Sequence, residues 1–213
     1  LALLHGGAIG QVRQVQASFG FSLQNPAGNI RMNPQLGGGA LLDAGSYPMS
    51  LIRLVMGSAP QRVTAEATWA ATGVDMSLAA TLHWTDGRRA QLSCAMDVAT
   101  HRRALIVGTQ GVIETEYLNH TAEPSESHPL GFQPSQMRVR RGVAFTAPLT
   151  EVRSATGSGF RFAAEAFARV VADNDVAAIG RAADASLDIA ATLEALARSA
   201  RLGHTVDVPA GRA

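Results

Sequence analysis

The sequence predicts an α+β fold: an open, mostly antiparallel β-sheet with helices packed on one face. Three observations carry that expectation. Between Gln61 and Tyr117 apolar residues recur at every second position, the period of half-buried strands; after Gly39 and again after Gly159 they recur every three or four, the period of helices. The order strand, helix, run of strands, two helices also lacks the β-α-β alternation of a parallel sheet. At 213 residues the chain is long enough to bury a substantial core, and one core is the simplest arrangement.

The elements follow in order. Residues 11–21 place Val15, Ala17, Phe19 and Phe21 on one side of a strand. Residues 25–36 are polar and proline-bearing, a loop. The triple glycine 37–39 opens a helix that runs to Met56 and stops at Gly57, with Pro60 beyond it. Pro48 lies inside that helix and removes an amide, so a kink or fresh start is expected beside Tyr47. Strands are expected over 62–71, 75–85, 89–96, 102–108 and 112–117, with Asp86-Gly87 as a hairpin turn. Residues 119–136 read as a long surface loop, then come short strands near 137–141 and 144–149. Helices are expected near 160–173 and 183–202, the second ended by Gly203.

Composition excludes several functions. Eighteen basic residues, all arginine, face seventeen acidic ones, and no arginine run is dense enough to bind nucleic acid. A single cysteine, Cys94, rules out an internal disulfide and sits in an alternating run where it reads as a small buried hydrophobe. No stretch of 18 apolar residues marks a membrane span and no charged-then-apolar leader marks a signal peptide, so a cytoplasmic protein is expected. Six histidines show no metal-ligand spacing, and no metal site is expected. Residues 6–12, GGAIGQV, imitate a dinucleotide fingerprint, but a strand follows where the fingerprint needs a helix.

The segment GGGALLDAGSYPMS, residues 37–50, carries the chemistry. Gly37, Gly38 and Gly39 permit backbone dihedrals closed to other residues and a close approach of a ligand to the main chain. Asp43 and Tyr47 are spaced four apart, one turn of helix, so a carboxylate and a phenol point the same way. The structural alternative is a first-turn acid favouring the helix dipole and a half-buried aromatic with its hydroxyl in water. From the residues alone both readings stand.

Taken whole, the chain resembles the C-terminal domain of the Gfo/Idh/MocA family, named for glucose-fructose oxidoreductase, inositol dehydrogenase and rhizopine catabolism. The resemblance rests on Gly7-Ala8-Ile9-Gly10-Gln11-Val12 ahead of a strand, the run RMNPQLGGG from Arg31 to Gly39, the helix after it, Gly87 in its hairpin, Val107-Gly108-Thr109-Gln110-Gly111 leading to Glu114, and the closing Ser199-Ala200-Arg201 with Val206. It implies a fold like the C-terminal domain of glyceraldehyde-3-phosphate dehydrogenase, with residues 1–213 as one substrate-binding and oligomerisation domain. An N-terminal dinucleotide-binding domain, absent from this chain, would hold NAD or NADP and supply the catalytic lysine of a Glu-Lys-Pro motif. This sequence offers no strand, glycine-rich turn and helix to hold a dinucleotide and contains no lysine, so the chain alone is expected to bind neither cofactor and to be inactive.

The resemblance further implies that Tyr47 and Asp43 are catalytic and that the chain belongs to the tyrosine branch, whose members act on aldoses or on cyclic and aromatic diols. Tyr47 would exchange a proton with the substrate hydroxyl, and Asp43 would orient the substrate or hold the lysine charged. Arg31 and Phe160 follow as residues near substrate or cofactor, with a loop-anchoring ion pair as the alternative for Arg31. Of Phe160, Phe162 and Phe167, two are expected in the core. A stand-alone binding or scaffolding domain without hydride chemistry is the alternative function.

The strands carry one more expectation. Val63, Ala65, Ala67, Trp69, Leu78, Leu82, Leu92 and Cys94 form a core face, and Thr64, Glu66, Thr68, Ser77, Ala79, Thr81, His83, Gln91, Ser93 and Ala95 the opposite one. Only Glu66 in that second set is a charged acid or base, whereas about a quarter to a third of a solvated surface is charged. A homodimer through this face, or a tetramer of such dimers, is expected.

Overall fold

The computed structural model describes residues 1–115, 122–124, 126, 132–134, 136–152 and 157–209. A short helix α1 (Ala2–His5) precedes β1 (Val12–Ser22); two 3-10 turns (Ile30–Met32 and Pro34–Leu36) lead to α2 (Ala40–Asp43) and α3 (Ser46–Met56). Then come β2 (Arg62–Trp69), β3 (Asp75–His83), β4 (Arg89–Ala95), β5 (Asp97–Gly108), β6 (Gly111–Thr115), a small ribbon of β7 (Ala122–Pro124) with β8 (Phe132–Pro134), β9 (Met137–Arg141) and β10 (Leu149–Val152). Helices α4 (Gly159–Ala172) and α5 (Val176–Leu202) and a short β11 (Val206–Asp207) complete it.

Nine strands form one open sheet in the order β10-β9-β6-β5-β1-β4-β3-β2-β11. Every pairing is antiparallel except β1 with β4. The exception comes from one residue. Met96 carries the chain from β4 round the end of β1, whose Gly20 pairs with both Ala95 and His101, so β5 runs back along the other side. The expected open, mostly antiparallel α+β sheet is what forms.

Helices α2, α3 and α5 cover one face, with α3 lying on β1 and α5 on β2. Met49 and Ile52 from α3 and Leu196 from α5 meet Val15, Val63, Leu82 and Leu92 from the strands, all 2% exposed or less. Several buried polar groups are satisfied across elements. Ser199 of α5 accepts from the Ala65 amide of β2 at 2.9 Å and donates to the His204 carbonyl at 2.7 Å, while Arg53 of α3 pairs with Asp188 of α5 at 2.7 Å.

The fresh start expected beside Tyr47 forms: the helix after the glycines is two helices, broken at Ala44 and Gly45, where the Gly45 amide bonds to the Ala40 carbonyl, and α3 begins at Ser46. Other expectations need correction. Pro48 is the third residue of α3, inside the first turn, where a missing amide costs nothing. Helix α5 starts at Val176, not 183, because Asp175 caps it by accepting from the Ala178 amide. The strand expected at 144–149 forms at 149–152, after turns that follow Gly142. Most of the loop 119–136 lies outside the described residues. On the core face Trp69 is 41% exposed, stacked under Arg201 at 5.4 Å, and Ala95 of the opposite set is buried. None of the fourteen residues of α4 is buried, so no two of Phe160, Phe162 and Phe167 are core.

Candidate functional site

The triple glycine folds as it does because its neighbours are crowded. A Cβ on Gly38 would stand 2.5 Å from the Arg31 carbonyl, and one on Gly39 would stand 2.1 Å from Oδ1 of Asp75. Gly39 also takes φ +117°, a region that L side chains rarely enter. The structure thus gives Gly38 and Gly39 an internal reason to be glycine, apart from any ligand. Gly37, in the left-handed region, closes the preceding 3-10 turn.

Asp75, the first residue of β3, is the residue that sequence reasoning missed. Gly39 has no side chain with which to cap α2, and Asp75 Oδ2 accepts from the Leu41 amide at 2.6 Å instead. The cap comes from 34 residues away, so no local motif reveals it. Burial raises the Asp75 pKa, opposed by the amides it accepts from and by Arg201. Folded protein therefore holds this proton more tightly than the unfolded chain does. The group's contribution to stability is full below the ordinary carboxylate range and is lost as pH rises through the raised folded value. Asp75→Asn keeps an acceptor without the charge and is expected to flatten that part of the stability profile. Denaturation from about pH 3 to about pH 8 checks it, and an unchanged slope would show that Asp75 does not titrate there.

With α2 so anchored, Asp43 at its end meets the loop before the glycines. Arg31 Nε lies 2.8 Å from Asp43 Oδ2, and both side chains are about a third exposed, at 38% and 31%. The contact with Asp43 raises the Arg31 pKa, burial opposes it, and Tyr47 contributes least. Arg31, Asp43 and Tyr47 therefore converge although they lie on three elements. The ion pair anticipated for Arg31 forms, and its partner is the candidate acid itself.

Two aromatics from β1 wall this group. The Tyr47 ring meets Phe19 edge-on with centroids 5.3 Å apart; Phe19 lies 6.0 Å from Phe21, and Arg31 stands over Phe21 at 5.9 Å. Phe19 and Phe21 read from alternation as core residues, yet both are only half-buried. The signal that was available is their place in the last four residues of β1. Tyr47 is 39% exposed, open to a ligand and held by its ring. Phe160, 74% exposed at the start of α4, takes no part in these contacts.

Behind the group, burial and the nearby Asp75 push the Cys94 thiol up to about 12, so it stays a packed thiol, as the alternation predicts. Among the described residues no group of three His, Cys, Asp or Glu is placed to hold a metal. No helix among them is long and apolar enough to cross a membrane.

The pattern of the GFO/IDH/MocA C-terminal domain matches residues 1–114, more than half of the chain. The chain belongs to the GFO/IDH/MocA family. Trans-1,2-dihydrobenzene-1,2-diol dehydrogenase of Danio rerio is 37% identical over 113 residues, 53% of this chain and 33% of the relative. D-xylose 1-dehydrogenase (NADP(+)) 2 of Haloferax volcanii is 29% identical over 208 residues, 97% of this chain and 59% of the relative. Among solved structures, aldose-aldose oxidoreductase from Caulobacter crescentus, complexed with glycerol, superposes with a TM-score of 0.76 at 24% identity, over 96% of this chain and 58% of its own. Levoglucosan dehydrogenase, complexed with NADH and levoglucosan, gives 0.75 at 18% over 98% and 62%. These likenesses show the GFO/IDH/MocA fold. The chain spans between a third and three fifths of the length of these relatives.

Proposed function

We propose that residues 1–213 are the substrate-binding, oligomerising and part-catalytic domain of a cytoplasmic NAD(P)-dependent oxidoreductase acting on a sugar or a cyclic or aromatic diol. The observation that carries this reading is the Arg31–Asp43 pair beside a half-exposed Tyr47, walled by Phe19 and Phe21, in a domain of this family. The described residues contain no strand, glycine-rich turn and helix that would cradle a dinucleotide, so they fit the substrate end of the reaction and not the cofactor's pyrophosphate. NAD or NADP, bound chiefly by another domain, would accept the hydride from the carbinol carbon.

The chain's own residues handle the proton and the orientation. Tyr47, as the phenolate that a lysine ammonium from the nucleotide-binding domain would favour, would take the proton from the reacting hydroxyl as the carbonyl forms, and return it in the reverse reduction. Asp43, fixed by Arg31, accepts a hydrogen bond from a neighbouring hydroxyl, so a substrate with two adjacent hydroxyls is favoured. The rings of Phe19 and Phe21 give the apolar face of a sugar or aromatic diol a surface to lie on. Gly37 and its two neighbours keep the loop bearing Arg31 close to α2. Phe160 remains a candidate on the cofactor side.

The full-length enzyme, followed by nicotinamide absorbance with each cofactor and a panel of aldoses and diols, is expected to turn over members of at least one class. Turnover of none would favour a non-catalytic binding or scaffolding domain.

The open sheet face supports the assembly part of the reading. A depression of about 820 Å³ runs over it, lined mostly by uncharged residues including Thr64, Ala79, Thr81 and Ser93, with Glu66 and Arg103 also in its wall. Glu114 and Arg138, at its margin, neutralise each other at 2.9 Å. Thr81 pairs with Thr64 on one side and Gln91 on the other, at the centre. Thr81→Arg is expected to reduce a dimer or tetramer to smaller species by light scattering; an unchanged mass would mean that copies meet elsewhere.

A further inference from the structure

Phe19, whose ring meets Tyr47, lies in the sheet between Cys94 of β4 and Arg102 of β5. The Cys94 side is the one roofed by the candidate acid and phenol: a Cβ on Gly45, in the break between α2 and α3, would stand 3.0 Å from Cys94 Sγ. The Arg102 side brings a cation to the same face of the sheet. Ala104 and Ile106, next along that face of β5, are core residues, whereas Arg103 and Leu105 line the depression on the open face. A half-buried arginine therefore stands in the line of Ala104 and Ile106, beside the site, where an aliphatic residue would simply continue the core.

We propose that Arg102 is a substrate-binding residue and that the substrate is an anionic sugar, with its carboxylate or phosphate on Arg102 and its reacting hydroxyl at Tyr47. The inference rests on the function proposed above and narrows its substrate. A ring laid on Phe19 has Tyr47 and Asp43 along its β4 edge and Arg102 along its β5 edge, and Cys94 and Arg102 stand two strand spacings apart, about 10 Å. A pyranose with one exocyclic group suits that span: its C2–C3 diol lies across the ring from the carbon that bears the charge in a uronate or a 6-phosphate. Asp43 is matched by Arg31 at 2.8 Å, so the near end of the floor does not repel an anion at the far end. Arg102 makes contacts of its own, and these are compatible with a ligand, because a guanidinium carries five donors in a planar fork that meets a carboxylate or phosphate with two of them. The reaction balances as before: the carbinol hydride passes to the oxidised nicotinamide, the hydroxyl proton to Tyr47, and the product is a keto sugar whose anionic group is unchanged.

The test uses the full-length enzyme with each cofactor and compares D-glucose and D-galactose with the uronate and the 6-phosphate of each. An acidic form is expected to exceed its neutral parent in kcat/KM by roughly 10- to 100-fold, the worth of one charge-assisted contact, and whether uronate or phosphate leads tells which anion Arg102 receives. Arg102→Gln is expected to bring that ratio close to one, mainly by raising KM for the acidic sugar, and Arg102→Lys, which keeps the charge without the fork, to retain part of it. If the wild type binds neither NAD nor NADP and turns over no sugar or diol, the proposed function falls and this inference with it. Turnover of neutral sugars or diols with no preference for the acidic sugars overturns this inference alone. So does an Arg102→Gln variant that keeps the wild-type ratio, one that loses neutral and acidic sugars equally, which would make Arg102 structural, or one that weakens NADP binding instead, which would put Arg102 on the cofactor.

Discussion

Tyr47→Phe in the full-length enzyme is expected to lower kcat by roughly 10²- to 10⁴-fold, the contribution of one positioned acid–base group. It should leave the melting temperature nearly unchanged. The two expectations separate because the structure divides the residue in two: the ring makes the edge contact with Phe19 that phenylalanine retains, and at 39% exposure little burial is at stake. Asp43→Asn, by contrast, removes the charge that pairs with Arg31 and is expected to raise KM more than it lowers kcat, because Asp43 orients and does not transfer. Steady-state kinetics with both variants checks this. If Tyr47→Phe keeps full kcat, Tyr47 is a packing aromatic and the proton goes elsewhere.

The division between what the sequence revealed and what it hid follows from the range of the interactions. The alternation of β2, β3 and β4 is legible because a pleated strand fixes each side chain's face, and Val63, Leu82 and Leu92 are buried as that rule requires. Pairing β1 parallel to β4 is not legible, since it depends on the chain turning at Met96. Asp43 and Tyr47 stand out by their spacing of four after the triple glycine, Arg31 only through the resemblance, and their convergence needs the loop and both helices in place. The early start of α5 was within reach, because Asp175 is a capping residue three positions before the amide it receives. Its first turns carry so much alanine that the hydrophobic period fades, which hides the start that the cap marks. Asp75 was beyond reach. It acts on α2 from another strand, and in sequence it looks like any acid at a strand end.

Gly39→Ala should show how far the site depends on that remote cap. The substitution places a methyl 2.1 Å from Asp75 Oδ1 and asks an L residue to hold φ +117°, so the backbone strain and the displaced hydrogen bond act together. Strain of this kind costs about 1–3 kcal/mol, and leaving the Leu41 amide without its acceptor costs about 1–3 kcal/mol more. For a chain of this size each kilocalorie lowers the melting temperature by about 2–4 °C, so a loss of roughly 5–20 °C is expected. Asp75→Ala separates the causes. It removes the same hydrogen bond without strain, so the double variant should be less unstable than the sum of the two singles by about 1–2 kcal/mol. Strict additivity would mean that Gly39 and Asp75 act independently. Activity in the full-length enzyme should fall more steeply than stability in both single variants, because the turn released from Asp75 is the one that ends at Asp43, and an acceptor displaced by even about 1 Å no longer meets the substrate hydroxyl.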